Sequence, residues 1–357
     1  MPDSNRKHVF FLDYMRVFAF VSVLVGHQFM NSLLITANDL SIHVTLRLMA
    51  QALVPLCEGG AAGVIVFFLT SGYIITKVLQ REEPGDFLLK RAFRIYPLYM
   101  LAVLLEYSCG YFIEGVTPRS LQEVVSRLFL IGDFNGTPNG LQGVEWTLRI
   151  EVLFYLFMAS LKAVGLFKNR IHLPAVYAIA LACLYIAPPF PDRSQWTFAY
   201  VTIYAPFLIF GSLLYLAEDI RQIRSKCIAL MAVVFFAFLM LTAKLIPGWK
   251  ESSYALFATV IFLTSWAFRN RISPHPLITA LAELTFSVYL MHNWAWHYID
   301  SGMRWIGAGE EQRPLQILIG LFGICFLLNR YVEKYFNGLG SRFVQLRRAR
   351  KSETAMA

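Results

Sequence analysis

Apolar runs close to membrane-spanning length recur along the chain, separated by short polar stretches. A helix needs ~20 mostly apolar residues to cross a ~30 Å hydrocarbon core. Runs that approach this length lie at 9–30, 62–79, 95–113, 144–164, 173–187, 199–217, 228–246, 254–268, 277–299 and 314–330. The pattern predicts an all-α fold, a polytopic transmembrane helix bundle of about ten spans forming a single domain over 1–357. No polar stretch is long enough for a separate soluble domain. The first run, at about 22 residues, exceeds the ~7–15 of a signal-peptide core and is followed by no small-residue cleavage site, so it reads as a retained anchor.

Polar side chains interrupt these runs at four places, and burying one is costly unless it is paired. In "DYMRVFAFVSVLVGHQFM", Arg16 and His27 lie eleven positions apart. At 100° per residue they face nearly the same way, separated by ~16 Å along the helix axis. An Arg16–Asp13 pair plus a satisfied core histidine would explain them; so would a tall polar groove inside the bundle. In "LLKRAFRIYPLYML", Arg91 and Arg94 share a helical face at a span entrance, where two guanidiniums could clamp phosphate oxygens. The positive-inside bias would also place basic residues there.

In "EWTLRIEVLFYLF", Glu145 and Arg149 stand at i,i+4 and can neutralise one another. Glu151 shares a face with Thr147 and Tyr155 and needs a partner from another helix, for which His27 or Arg16 would serve. The late run "LAELTFSVYLMHNWAWHYI" carries Glu283 and Ser287 on one face, with His292 and His297 nearer the outer end. Helix–helix hydrogen bonding is the simpler account of that set; lining an acceptor path is the other. Gly59 and Gly63 have the spacing of a close helix approach.

Composition agrees with the pattern. Hydrophobic residues make up 57% of the 357 and charged residues 15%, against ~45–50% and ~25% in soluble domains. With both termini cytoplasmic, 22 of the 32 Lys and Arg fall in or beside inner segments, as the positive-inside rule requires. That bias accounts for the net charge of +9 without nucleic acid as a partner. The basic stretch "RFVQLRRARK", within a cytoplasmic tail over 331–357, reads as a topology and anionic-lipid anchor. Trp196, Trp249 and Trp305 fall at expected outer span ends, where aromatic belts sit. Five dispersed cysteines without a CxxC pair argue against a disulfide framework or a metal site.

Taken in order, these stretches resemble the acyltransferase family 3 of multi-pass bacterial membrane proteins. The resemblance rests on Arg16 and His27 in the first helix, "FFLTSGYIIT", "KRAFRIYPLY", "EWTLRIEVLFY" and "LTFSVYLMH", and it covers roughly residues 10–335. Thr147 stands where the family often has Ser, and "YVEKYF" keeps Glu333 without the family's following proline. The extra esterase-like domain of some members is not expected here.

The resemblance implies an O-acetyltransferase of the inner membrane, moving an acetyl group from cytoplasmic acetyl-CoA to a hydroxyl of a surface, exopolysaccharide or lipid-linked glycan. No bound cofactor is implied; the acyl-CoA is a substrate. Arg91 and Arg94, with Arg16, would hold the CoA phosphates. His27 is the expected base, its unperturbed pKa of ~6.5 suiting proton removal at neutral pH, and Glu151 is expected to orient it. Ser71, Tyr73, Trp146, Thr147, Tyr155, Ser287 and His292 are the expected supporting residues. Succinyl transfer or a small secreted acceptor would keep the same fold. A transporter would instead use the buried charges to line an ion or solute path.

Overall fold

The computed structural model describes residues 9–116, 120–192, 198–247 and 253–356, and those residues form helices joined by turns, with no strand among them. The first half contains α1 (Phe10–Leu24), α2 (Met30–Asn38), α3 (Val44–Cys57), α4 (Ala61–Leu79), α5 (Pro84–Glu114), α6 (Leu121–Leu128), α7 (Gly132–Asn135) and α8 (Glu145–Ala163). The second half contains α9 (Leu173–Ile186), α10 (Tyr200–Tyr204), α11 (Pro206–Asp219), α12 (Arg224–Leu245), α13 (Ser253–Ala267) and α14 (Pro276–Met291). It closes with α15 (Trp294–Trp305), α16 (Arg313–Leu328) and α17 (Lys334–Met356).

Among the described residues, five helical stretches are long and apolar enough to cross a membrane: Phe10–Gln28, Val44–Leu79, Tyr200–Asp219, Arg221–Leu245 and Arg313–Lys351. Arg170–Ile186, Ser253–Ala267 and Pro276–Met291 are apolar but shorter. The expected spans at 95–113 and 144–164 correspond to α5 and α8, which belong to neither group. Glu106 and several tyrosines dilute α5, while α8 carries Glu145, Arg149, Glu151 and Lys162. Those polar residues include members of the internal site. The second expected span begins earlier than residue 62, because α3 runs into α4 through a kink at Gly59 and Gly60, both at positive φ.

At the centre of the bundle, α4 packs against α1, α11 and α13. Its crossing with α11 has room for no side chain at either contact: a methyl on Gly72 would overlap the Leu208 carbonyl, and one on Gly211 the Leu69 carbonyl. Gly63 plays the corresponding role against α1, where its amide donates to Ser22 Oγ at 3.1 Å. Fully buried Phe11, Ile65, Leu69 and Phe207 lie on these helices.

Among the described residues, two single turns of π-helix interrupt the ladder, Val25–Phe29 after α1 and Asn329–Glu333 between α16 and α17. Such turns rotate the following side chains and are frequent at functional sites. Here they carry His27 and Glu333.

The basic tail is not a detached anchor. It forms α17, which lies along α5 with Phe343 stacked on Phe93 and Arg348 donating to Asp86 at 2.7 Å. Asn337 and Ser341, near the start of α17, share a cavity with the start of α1. Trp305 is exposed; Trp196 and Trp249 lie outside the described residues.

Candidate active site

Among the described residues, two cavities lie along the bundle with α1 reaching both. The inner one has a volume of about 790 Å³ and is bounded by Asp13, Arg16, Lys77, Arg81, Arg91 and Arg94 with Asn337 and Ser341 of α17. A smaller extension of about 50 Å³ adds Ser71, Glu151, Tyr155 and Glu333 to the three arginines. The outer cavity, about 480 Å³, is lined by His27, His292, Trp146, Tyr289 and neighbours. Between them a neck of about 10 Å³ is bounded by Phe67, Thr147, Glu151, Phe286 and Tyr289.

The inner cavity is cationic for a reason visible in its pairing. Arg16 reaches Asp13 at 3.5 Å. Arg91 and Arg94 make no ion pair among the described residues, and Arg91 Nε is buried without a hydrogen-bond partner. The Arg91 guanidinium is instead held over the Phe87 and Tyr155 rings, at 5.2 and 5.7 Å. Three guanidiniums gathered here, two of them without an ion pair among the described residues, favour an anion between them.

Glu151 occupies the boundary between the inner cavity and the neck. It accepts hydrogen bonds from Ser71 Oγ at 2.8 Å and Tyr155 OH at 2.6 Å. Those are its partners, so the expected Glu151–His27 contact is absent from this structure. The reason is axial distance: Glu151 lies near the arginines, whereas His27 lies beyond the neck. Thr147 and Tyr289 pair their hydroxyls at 2.6 Å within that neck.

Arg16 and His27 do line internal cavities, as their spacing suggests, but different ones. The π turn begins two residues before His27, so the 100° arithmetic fails just where it matters. His27 lies beside His292, their ring centroids 5.2 Å apart. His292 Nδ1 is 2.6 Å from the Tyr289 carbonyl oxygen. A carbonyl only accepts, so Nδ1 carries the proton, and in the neutral ring Nε2 is left as an acceptor. That Nε2 is buried without a hydrogen-bond partner.

Two expected supporting residues are placed differently. Tyr73 turns away from both cavities and donates to Glu218 at 2.8 Å, joining Trp266 and Arg269 on that carboxylate. Ser287 donates to Glu333 at 3.1 Å rather than acting with Glu283, whose partner is Lys334. Glu333 also accepts from Asn329 at 3.1 Å; only its π turn, invisible to helical periodicity, brings it to the cavity wall. Trp146 packs its ring near Phe68, Tyr200 and Tyr204 while remaining partly open to the outer cavity.

Glu145 and Arg149 form a separate structural network. Arg149 pairs with Glu145 at 3.2 Å and Asp133 at 2.7 Å, and Arg127 pairs with Glu145 at 3.0 Å and also with Glu106. Tyr99 donates to the Arg127 carbonyl at 2.5 Å. These bonds hold the segment between α6 and α8 over the outer cavity. Leu141 and Gln142 both sit at positive φ there, which costs ~1–3 kcal/mol per non-glycine residue. The Asn293 side chain donates to the Gln142 carbonyl at 2.8 Å and helps hold the strained turn.

Residues 9–329 match the family model described as Acyltransferase domain, of the acyltransferase family 3. The chain is 35% identical over 132 residues to the exopolysaccharide production protein ExoZ of Rhizobium meliloti, covering 34% of this chain and 40% of that one. It is 26% identical over 202 residues to the putative peptidoglycan O-acetyltransferase YrhL of Bacillus subtilis, covering 50% and 28%. An O-acetyl transferase of Shigella phage Sf6 is 30% identical over 125 residues, covering 31% and 37%. Each of these matches therefore spans less than half of the relative's length. No solved structure matches the chain.

Proposed function

We propose a reaction from the premise that the chain belongs to the acyltransferase family 3, whose model covers residues 9–329: it is a multi-pass membrane O-acetyltransferase that moves an acetyl group from acetyl-CoA to a glycan hydroxyl. The observation that carries this reading is the pair of cavities joined by a neck, cationic at one end and holding two imidazoles at the other. In our reading the bundle crosses the inner membrane about ten times, with the arginine cavity facing the cytoplasm.

Acetyl-CoA enters at the inner cavity, its phosphates between Arg91 and Arg94 with Arg16 beside them. Its pantetheine arm then runs along α1 toward the neck, about 16 Å at 1.5 Å per residue from Arg16 to His27. Glu151 balances part of the cationic charge and holds Ser71 and Tyr155 in place. The acceptor occupies the outer cavity.

There His27 takes the proton from the sugar hydroxyl as its oxygen attacks the thioester carbon. Thr147 donates to the Val144 carbonyl, so Tyr289 donates to Thr147; the oxyanion that forms at the neck takes over that Tyr289 O–H as its donor. Collapse re-forms the carbonyl and breaks the C–S bond, and the CoA sulfur leaves with the proton from the His27 imidazolium. Direct transfer fits better than a serine relay, because Ser71 and Ser287 are each bound to a carboxylate rather than to a histidine. An exopolysaccharide or lipid-linked glycan is the acceptor class suggested by the relatives' names.

The test uses the full chain purified in detergent with radiolabelled acetyl-CoA and glycan fractions from the producing cell. Acceptor-dependent release of CoA together with labelled glycan is expected. Ion-coupled flux without consumption of acetyl-CoA would replace this reading with a transporter.

A further inference from the structure

The outer cavity differs from the inner one in carrying no Lys, Arg, Asp or Glu among its described lining residues. At about 480 Å³ it falls within the ~300–1,000 Å³ of ordinary small-ligand sites. Its wall is part aromatic. Tyr200 and Tyr204 spend their hydroxyls elsewhere, on Asp133 and on Tyr254 at 2.9 Å. What they and Trp146 offer the cavity is therefore ring surface.

The remaining polar groups among the described lining residues are amides, imidazoles and the Tyr289 hydroxyl. Asn139 Oδ1 and His292 Nε2 are both buried acceptors without a hydrogen-bond partner, on residues that line the same space. Leaving such atoms unsatisfied costs ~1–3 kcal/mol each, so a ligand that donates hydrogen bonds to them is favoured. Gln142 is exposed at the wall on its strained turn, and its side chain is unoccupied among the described contacts.

We propose that the outer cavity is the acceptor subsite and selects an uncharged pyranose ring, seated against Trp146 with its hydroxyls donating to Asn139 and His292. A pyranose has apolar C–H faces and an edge of hydroxyl donors, which is the complement of this lining. A uronic acid or sialic acid ring would bring a carboxylate to a wall that offers no Lys or Arg among its described residues, at a large desolvation cost. The inference rests on the acetyl-transfer reading for what happens to the ring, but not for whether the ring binds.

The experiment is saturation-transfer NMR on the detergent-solubilised full chain, without acetyl-CoA. Methyl glycosides of glucose, galactose and mannose are compared with the corresponding methyl uronates. At least one neutral glycoside is expected to bind, and each uronate to bind at least roughly a hundredfold more weakly than its neutral parent. Trp146→Leu should weaken neutral binding roughly tenfold while Trp146→Phe retains most of it, which separates ring contact from misfolding. Asn139→Lys should admit the uronates.

Uronates that bind as well as neutral rings, failure of all neutral glycosides to bind, or indifference to Trp146→Leu would each overturn the proposal. The acetyl-transfer reading is judged separately by CoA release. Sugar binding without any CoA release refutes that reading and leaves the subsite standing. CoA release with equal use of neutral and charged rings does the reverse.

Discussion

Removing the guanidiniums of Arg91 and Arg94 together should weaken acetyl-CoA binding far more than it weakens the fold. Hydrogen bonds to charged groups contribute ~1.5–3 kcal/mol each, so taking one such bond per arginine gives ~3–6 kcal/mol for the pair. The cavity is open to solvent at its wide end, and the two sites are adjacent and non-additive, so the lower bound is the safer figure. It corresponds to a rise in Kd of roughly 150-fold. The fold should tolerate Arg94→Ala well, because Arg94 makes no ion pair among the described residues and lies close to two like charges. Arg91 also packs on Phe87 and Tyr155, so Arg91→Met is the better variant there. Isothermal titration of the Arg91→Met, Arg94→Ala protein with acetyl-CoA reads the affinity, and thermal unfolding without ligand reads the fold. A monodisperse variant with a Kd within a factor of two of wild type would refute the phosphate clamp. A fall in melting temperature that accounts for the lost binding would assign these arginines to structure instead.

Substituting His27 by Ala should reduce acetyl transfer by ~10²–10⁴-fold while the protein still accumulates in the membrane; full acetyl content on the product would remove His27 from the mechanism. Glu151→Gln should lower kcat with little loss of folded protein, and activity that merely follows protein level would show a structural carboxylate. Glu145→Ala should act oppositely, costing ~3 kcal/mol or more by removing one charge-assisted hydrogen bond from each of Arg127 and Arg149, which then keep only Glu106 and Asp133 as carboxylate partners among the described residues; unchanged thermal stability would contradict the buried network. Gly72→Ala should destabilise the α4–α11 crossing by ~1–3 kcal/mol or more, and wild-type stability would mean that the helices can separate at no cost.

Much of this site was legible as residue types and little of it as pairings. Composition and run length identify an all-helical membrane chain, and the motif order points to the right family. The span count is harder, because α5 and α8 carry the polar groups of the interior and so resemble spans least. The spacing of Arg16 and His27 places both toward the interior, but not the change in direction made by the π turn at Val25–Phe29. Glu151 needs a partner from another helix, and no periodicity within α8 can say that the partner is Ser71 at 2.8 Å. Tyr73 shares a motif with Ser71 yet faces Glu218, since two residues' separation on a helix is a large rotation. Glu333 reaches the cavity through the second π turn. The aromatic and amide wall of the outer cavity draws on segments from residue 138 to 293, a convergence that only the tertiary fold reveals.

The central claim is that one molecule of donor bridges the two cavities, phosphates among the arginines and thioester at the imidazoles. The most direct test is an experimental structure of the full chain with CoA bound. The account predicts phosphate oxygens within hydrogen-bond distance of Arg91 and Arg94 and the CoA sulfur at the neck, facing His27. A CoA bound outside the inner cavity, or with its sulfur directed away from the neck, would contradict it.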